Sequence, residues 1–228
     1  MSQPLKLSLP TALILIDNQV GFCAPETISH WGTTRSNPRY EVNLQALLSA
    51  FRTARSSSST LLEVIHIFHS SVTPGSPLHP STDGIRPLDF ATPASDGSEP
   101  IFWKSVNSSF IGTNLEAHLR EKGFRQLIIA GLTTDHCVST TVRMAANLGV
   151  VDRLHGGEPV KIKSDGTHVK DVPVDKGRIV LVSDATATFG KGGFDSDIIH
   201  KVSVASLDGE FCDVIGTEDI VDALRRFQ

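Results

Sequence analysis

Three residues that are far apart in the chain have side chains suited to nucleophilic catalysis: Asp17, Lys104 and Cys137. Cys137 follows the apolar run 126–130, which predicts a strand, and precedes the segment 138–149, whose periodicity predicts a helix. A thiol at that place meets the positive end of the helix dipole and free backbone N–H groups, so we expect a lowered thiol pKa and an oxyanion site. Position alone is equally compatible with a buried structural cysteine.

Asp17 and Lys104 each stand at the end of a predicted strand. The apolar run 12–16 stops at Asp17, whose carboxylate could act as general base for a neighbouring thiol. The short run 101–104 closes with Lys104, whose ammonium could pair with Asp17 and stabilise a thiolate. Taken singly, a capping carboxylate and a surface lysine are simpler interpretations. The chemical hypothesis therefore depends on the fold bringing these side chains together.

The strands that must position these residues are predicted by compact apolar runs at 12–16, 61–68, 126–130 and 178–182. Segments with helical periodicity lie at 38–54, 113–122, 138–149, 198–205 and 217–226. Thr113 and Glu116 form a capping-box pattern at the start of the second of these helices. Strands that alternate with helices imply a parallel sheet. We expect an α/β protein, a three-layer α/β/α fold with a doubly wound, mostly parallel six-stranded sheet, in which ligands bind beyond the carboxyl ends of the strands.

Two segments depart from this alternation. Residues 70–100 are rich in Ser, Pro, Gly and Asp, and a loop of that length is predicted to cover a substrate site. Residues 152–177 lie where a short link would suffice, and the alternation at 160–163 before an Asp-Gly pair predicts a small surface hairpin. We treat residues 1–228 as a single domain that carries residues 152–177 as a surface insert.

Composition argues against several classes of function. With 25 acidic and 21 basic residues the chain carries a net charge of −4, which attracts neither nucleic acid nor an anionic membrane surface. Its three cysteines include no CxxC pair, so we expect neither a disulfide framework nor a structural zinc site. No apolar run approaches the length of a membrane span, and the N-terminus has no signal-peptide cleavage pattern. We expect a cytoplasmic protein that acts on a small molecule.

Four motifs extend this pattern beyond single residues: ALILIDNQVGF at 12–22, WKSVNSSFIGTNL at 103–115, IAGLTTDHCVSTT at 129–141 and VSDATAT at 182–188. In this order they resemble the isochorismatase-like cysteine hydrolases, a superfamily that includes nicotinamidases and carbamoylsarcosine amidohydrolases. The resemblance implies an Asp–Lys–Cys catalytic triad at Asp17, Lys104 and Cys137. It also implies a cis peptide before Thr133, an oxyanion hole formed by the N–H groups of Thr133 and Cys137, and a homo-oligomer, either a dimer or a tetramer.

The activity implied by this resemblance is hydrolysis of a C–N bond, in an amide or a carbamoyl group, through a thioester on Cys137. Six residues are expected to line the substrate pocket: Gln19, Phe22, Trp31, His69, Trp103 and Phe110. We expect no cofactor. Nicotinamidases of the superfamily carry a metal site with an Asp-x-His element after the second strand, whereas residues 66–69 read His-Ile-Phe-His here. Without that aspartate we expect no metal.

Three alternatives stay open at the level of sequence. Isochorismatases of the same superfamily hydrolyse a vinyl ether, generally lack the cysteine and use the aspartate for protonation. That activity would survive replacement of Cys137 by Ala but not replacement of Asp17 by Ala. A catalytically idle homologue would act as a binding or scaffold protein. A redox protein would use Cys137 as a reactive thiol and would show its reversible oxidation without amide turnover.

Overall fold

The computed structural model describes residues 5–155, 160–168 and 173–227. Its strands are β1 (Thr11–Ile16), β2 (Leu62–His69), β3 (Ile101–Lys104), β4 (Gln126–Leu132), β5 (Arg153–Leu154), β6 (Val174–Asp175), β7 (Arg178–Ala187) and β8 (Asp213–Ile215). Its α-helices are α1 (Val20–Cys23), α2 (Ile28–Trp31), α3 (Tyr40–Ser57), α4 (Leu115–Glu121), α5 (Ser139–Leu148), α6 (Ser196–Ala205) and α7 (Thr217–Arg226). No helix in the described ranges is long and apolar enough to cross a bilayer.

Six strands form one parallel sheet in the order β3-β2-β1-β4-β7-β8, while β5 and β6 form a separate antiparallel pair. From β1 the chain builds the sheet outward through β2 and β3, returns to the other side of β1 with β4, and continues to β7 and β8. Helices cover both faces, so the predicted doubly wound, three-layer fold is confirmed. The direction of winding reverses between β1 and β4, and ligand sites of such sheets lie beyond the carboxyl ends of the strands at that point.

The buried strands supply side chains to two apolar cores, one on each face of the sheet. In β1, Leu13 and Leu15 belong to the core that α3 and α7 cover, whereas Ala12, Ile14 and Ile16 belong to the core that α4 and α5 cover. Consecutive strand residues point to opposite faces. A strand that is covered on both sides must therefore be apolar throughout, which explains why these strands appear in the sequence as continuous apolar runs.

The amphipathic patterns identified the long helices correctly. The apolar residues that recur at helical spacing in the predicted segment 38–54 are all buried in α3: Leu44, Leu47, Leu48 and Phe51. The helix α5 ends at Gly149 as predicted, with a φ of 56° and a backbone N–H that bonds the carbonyl groups of Ala145 and Ala146. Glycine suits this place because it adopts a left-handed conformation without steric cost.

The start of α4 differs from the predicted capping box. The Thr113 hydroxyl oxygen accepts the N–H of Leu115 at 3.3 Å, but Glu116 bonds the Arg120 side chain at 2.9 Å instead of reaching back to the helix start. The helix begins at Leu115 with Asn114 as N-cap and without a side-chain cap bond, so the predicted capping box is wrong and the Thr113 bond is a local turn before the helix. The salt bridge one turn along the helix competes for the same carboxylate.

Two further elements departed from the sequence pattern. Ile198 and Val202 correctly indicated α6, yet they are 52% and 64% exposed, and the helix buries Ser196 and His200 instead. The strand β8 has only three residues at the edge of the sheet, and no periodic pattern indicated it. Short edge strands carry too few apolar residues to produce such a pattern.

The long connection 70–100 is attached to the segment that follows β1. The N–H of Val20 donates to the carbonyl of Arg86, and the N–H of Leu88 donates to the carbonyl of Asn18, each at 2.9 Å. These bonds hold the loop beside the carboxyl ends of the central strands. It lies where a segment covering a substrate site would have to be.

The insert 152–177 begins with β5 and closes with β6. Within its described part, Ile162 and His168 form an antiparallel bridge, which confirms the predicted hairpin turn between them. The remaining parts of the insert, residues 156–159 and 169–172, lie outside the described residues.

Candidate active site

The carboxyl ends of β1 to β4 bring four of the predicted site residues to one edge of the sheet. Asp17 follows β1, His69 and Lys104 are the last residues of β2 and β3, and Cys137 lies in a wide helical turn (Thr134–Val138) after β4. His69 and Lys104 are register partners on neighbouring strands. Asp17 has a φ of 53°, a left-handed conformation uncommon outside glycine, which turns the chain out of the strand.

Lys104 stands at the centre of this group. Its Nζ lies 2.7 Å from Asp17 Oδ2, 3.2 Å from His69 Nδ1 and 3.3 Å from Cys137 Sγ. An ammonium has three N–H bonds to donate, so each of them has an acceptor. The structure thus brings together the three residues of the expected triad, with the lysine between the aspartate and the cysteine.

The Asp17–Lys104 pair is closed off from solvent, since both side chains are 0% exposed. Burial by itself lowers the pKa of Lys104, but the Asp17 carboxylate and then Cys137 outweigh it, so the pKa of Lys104 is raised above its ordinary value. The lysine is therefore an ammonium at neutral pH. The second carboxylate oxygen, Asp17 Oδ1, is buried and has no hydrogen-bond partner in the described residues. It is the acceptor in this group that remains free to take a proton.

Cys137 is 6% exposed. Burial, followed by the negative charge of Asp17, raises the pKa of the Cys137 thiol, and the nearby Lys104 ammonium opposes this without reversing it. The expected lowered pKa is therefore corrected, because loss of hydration penalises the thiolate more than the neighbouring cation favours it. The resting sulfur is a neutral thiol, and a base must remove its proton when it attacks.

Three side chains of this group could also serve as metal ligands. Asp17, His69 and Cys137 each offer one ligand atom, and these atoms lie within 4.8 Å of one another. The Lys104 ammonium bonds all three side chains at distances up to 3.3 Å. A metal ion at this place would have to displace a buried cation that already pairs with the carboxylate. The residues present therefore fit a lysine-centred site and not a metal site.

The turn that carries Cys137 starts at a cis peptide bond between Leu132 and Thr133, as the resemblance implied. The carbonyl of Thr133 accepts the N–H groups of His136 at 3.1 Å and of Val138 at 3.2 Å. These bonds shape the turn that leads into α5. Thr133 and Cys137 line the same pocket, so their backbone N–H groups stay candidates for an oxyanion site.

A pocket of about 280 Å³ opens beside the Cys137 sulfur. Three of the six residues expected to line it do so: Phe22, Trp31 and His69. The rings of Phe22 and Trp31 are stacked with centroids 4.4 Å apart, and Trp31 Nε1 donates to the carbonyl of Gly21 at 2.7 Å. This pair forms a flat, fixed, apolar wall that suits a small molecule.

The other three are not among the pocket-lining residues of the described chain. Gln19 is fully buried. Its Nε2 donates to the carbonyl groups of His69 and Ile85 at 2.9 and 2.8 Å, and its Oε1 accepts the N–H of His69 at 2.8 Å. Gln19 thus fixes the end of β2 and the following loop. Trp103 is 47% exposed on the edge strand, and Phe110 packs against the core on the side of α4 and α5.

Leu78, Phe189 and Lys191 also line the pocket, although no sequence pattern pointed to them. Leu78 is 1% exposed. It is the aliphatic residue of the segment 73–82, which otherwise consists of Thr, Pro, Gly, Ser and His, and that contrast is the signal that could have identified it. Lys191 Nζ lies 2.6 Å from Asp135 Oδ2, so its charge is paired at the rim of the pocket. The pocket therefore combines an apolar wall with a polar rim.

Known proteins are similar to this chain in sequence and in fold over nearly its whole length. A family model for the isochorismatase domain matches residues 11–219. The isochorismatase family protein YrdC of Bacillus subtilis is 34% identical over 216 residues, which are 92% of this chain and 94% of that protein.

Solved structures give the same result. An isochorismatase-family protein from Chromobacterium violaceum is 33% identical with a TM-score of 0.75, and the match covers 99% of this chain and 98% of that chain. A cysteine hydrolase from Pseudomonas syringae pv. phaseolicola has a TM-score of 0.74 at 20% identity, over 99% of this chain and 97% of that chain. At that identity the likeness concerns the fold alone.

Proposed function

Since the chain belongs to the isochorismatase family and has the fold of its hydrolases, we propose that it cleaves a C–N bond of a small amide or carbamoyl compound through a thioester on Cys137. The observation that carries this proposal is the position of Lys104 Nζ, 2.7 Å from Asp17 Oδ2 and 3.3 Å from Cys137 Sγ. One ammonium thus holds a carboxylate and a thiol together beside a pocket. Nucleophilic catalysis needs such a nucleophile and base within reach of each other.

In the first half-reaction the Cys137 sulfur attacks the carbonyl carbon while Asp17 takes the thiol proton. Because burial keeps the thiol neutral, the proton leaves as the S–C bond forms and not beforehand. The developing oxyanion is held by the backbone N–H groups of Thr133 and Cys137. The C–N bond then breaks, and Asp17 passes its proton to the leaving nitrogen, which departs as ammonia or an amine.

In the second half-reaction a water molecule cleaves the thioester. Asp17, again a carboxylate, takes a proton from the water as its oxygen attacks the thioester carbon. The S–C bond breaks, the acid or carbamate product leaves, and the proton returns to the Cys137 sulfur. Lys104 keeps its proton throughout, since its raised pKa holds it as an ammonium that orients both partners.

The same geometry argues against the alternatives. Hydrolysis of a vinyl ether needs an acid but no sulfur nucleophile, and it leaves the contact between Lys104 and Cys137 without a role. A redox sensor needs an accessible thiol with a lowered pKa. Cys137 is 6% exposed and its pKa is raised. An idle homologue has no need of a thiol beside the buried Asp17–Lys104 pair.

The test is a panel of small amides, ureas, carbamoyl acids and isochorismate, assayed for release of ammonia and of pyruvate. We expect ammonia from at least one amide or carbamoyl compound, and loss of that activity in Cys137→Ala. Pyruvate release from isochorismate by the Cys137→Ala variant, without any amide turnover by the wild type, would overturn the proposal in favour of vinyl ether hydrolysis.

Cys212→Ala is the matched control. Cys212 is 7% exposed, and it belongs to the same apolar core as Cys137. Its thiol donates to the carbonyl of Leu207 and not to any group of the site. Removal of this sulfur should therefore leave turnover unchanged, which separates the chemistry of Cys137 from the general effect of losing a buried thiol.

A further inference from the structure

His69 has a contact that the triad chemistry does not require. Its ring nitrogen Nδ1 lies 3.2 Å from Lys104 Nζ, which also bonds Asp17 and Cys137. The backbone of His69 is held on both sides, because Gln19 bonds its N–H at 2.8 Å and its carbonyl at 2.9 Å. These bonds fix the backbone that carries the ring, and the contact with the ammonium orients the ring itself.

Lys104 determines which nitrogen of the His69 ring carries the proton. The Lys104 ammonium can only donate hydrogen bonds. The ring nitrogen that faces it, Nδ1, must therefore accept one and carries a lone pair. Burial, followed by the charge of Lys104, lowers the pKa of His69 below its ordinary value. The imidazole is thus neutral at pH 7, with its single proton on Nε2.

The side of the ring opposite Lys104 carries the proton, on Nε2. His69 lines the same pocket as Cys137, and Nε2 has no hydrogen-bond partner in the described part of the chain. A half-buried N–H group without a protein partner needs water or a ligand to accept its bond. Because His69 and Cys137 line one pocket, a substrate bound there is a candidate acceptor for this donor.

We propose that His69 positions the Lys104 ammonium through Nδ1 and donates a hydrogen bond through Nε2–H to a second acceptor on the substrate. The substrate half of this proposal rests on the proposed amide hydrolysis. It narrows the substrate class to amides that carry a further carbonyl, carboxylate or ring nitrogen near the scissile carbonyl. Simple alkyl amides lack that acceptor and leave the N–H unpaired in the complex.

The test uses a matched pair of substrates and three variants. Acetoacetamide and butyramide have the same number of carbons and differ by the second carbonyl. Asn at position 69 keeps an acceptor near the place of Nδ1 and loses the donor, Gln keeps a donor near the place of Nε2 and loses the acceptor, and Phe loses both. The substitutions are His69→Asn, His69→Gln and His69→Phe.

We expect the wild type to prefer acetoacetamide by roughly tenfold in kcat/KM, the effect of about one hydrogen bond. His69→Gln should keep the preference while kcat falls by about a hundredfold, since the ammonium loses its anchor. His69→Asn should lose the preference, through a raised KM for acetoacetamide, and keep kcat within about threefold. Equal effects of Asn and Gln on both quantities, or a wild type without preference, overturn the proposal.

His79→Asn is the control for these substitutions. His79 lies in the connection 70–100, and its Nδ1 bonds the hydroxyl of Ser81 at 2.7 Å. It contacts neither the pocket nor Lys104 in the described structure. Its replacement should change neither kcat nor the preference between the two amides.

The protonation of the His69 ring can also be measured without enzymatic turnover. Nitrogen-15 NMR of the histidine rings in the wild type should show an unprotonated Nδ1 and a protonated Nε2 for His69 at pH 7.5, with the assignment made by loss of the signals in His69→Asn. A proton on Nδ1, or a charged ring, overturns the positioning half. If the wild type hydrolyses no amide, the proposed function and the donor role fail, and the ring signals still decide the positioning role.

Discussion

The Lys104 ammonium lies 2.7 Å from the Asp17 carboxylate, and neither side chain is exposed to solvent. Two charges in this environment lose their hydration, and each depends on the other for compensation. The pair is therefore an arrangement that the fold tolerates only while both members are present. This relationship has consequences for stability as well as for chemistry.

Lys104→Met should destabilise the protein by about 3–5 kcal/mol, because it leaves the Asp17 charge buried without a partner. Adding Asp17→Asn to that variant should restore part of the loss, since the unpaired charge disappears. Urea unfolding of both variants measures the difference. Arg225→Met removes an exposed partner of Asp222 and serves as control, with an expected change below about 1 kcal/mol. A double variant less stable than Lys104→Met alone would contradict the account.

Asp17→Asn should have opposite effects on thiol reactivity and on turnover. The Asp17 charge contributes, after burial, to the raised pKa of Cys137, while Lys104 lowers it. Removing the carboxylate therefore lowers the thiol pKa and raises the thiolate fraction, yet it removes the base that the reaction needs. Alkylation of Cys137 by iodoacetamide at pH 8, followed by peptide mass spectrometry, should be faster in the variant, and amide hydrolysis should be lost.

Cys23 and Cys212 provide internal references in the same digest, because burial also raises the pKa of each, to about 11 and about 12. Their alkylation rates should not change in Asp17→Asn. If alkylation of Cys137 slows together with turnover, the aspartate does not act on the sulfur in the way described here.

Glu99 should stabilise the protein in a pH-dependent way. Its side chain is 1% exposed and bonds Arg52 through both oxygens, at 2.8 and 2.7 Å, and His66 at 2.9 Å. Burial alone raises the pKa of Glu99, but Arg52 and His66 outweigh it and hold the pKa well below its usual range. A carboxyl group whose pKa is lowered by folding stabilises the folded state above its unfolded pKa, and this contribution fades as pH falls.

Glu99→Gln should therefore cost about 2 kcal/mol at pH 7, because the charge-assisted hydrogen bonds of the buried carboxylate to the half-buried Arg52 and to His66 are lost. The difference from wild type should shrink by up to about 1.4 kcal/mol for each pH unit below about 4, where the unfolded state takes up a proton. Urea midpoints at pH 7, 5 and 3 measure this trend. A difference that stays constant with pH would show that Glu99 acts through packing and not through charge.

Much of the fold was predictable because burial on both faces leaves a plain signal in the sequence. Residues 12–16 and 126–130 are continuous apolar runs, and both became central strands. The edge strand β8 has only three residues, which is too short for such a signal. Ile198 and Val202 carry the helical period and identified α6 correctly, although neither side chain faces the core.

The three central side chains of the candidate site were predictable, whereas its lining was predicted only in part and its electrostatics were not. Asp17 and Lys104 were visible as polar residues at strand ends, and the family motifs joined them to Cys137. The raised pKa of Cys137 depends on burial by distant segments, which no local pattern reports. The contact between His69 and Lys104 likewise depends on the register of two neighbouring strands. Gln19 was predicted to contact the substrate, but its side chain forms hydrogen bonds with main-chain groups instead.

Trapping the covalent intermediate tests most directly whether the reaction passes through a thioester on Cys137. The wild type is mixed with a turned-over amide, quenched in acid within milliseconds, and analysed by intact-protein and peptide mass spectrometry. We expect a mass increase equal to the acyl group on the peptide that contains Cys137, and no such increase in Cys137→Ala. Amide turnover at the wild-type rate in Cys137→Ala, with no acyl group on any cysteine of the quenched wild type, would contradict it.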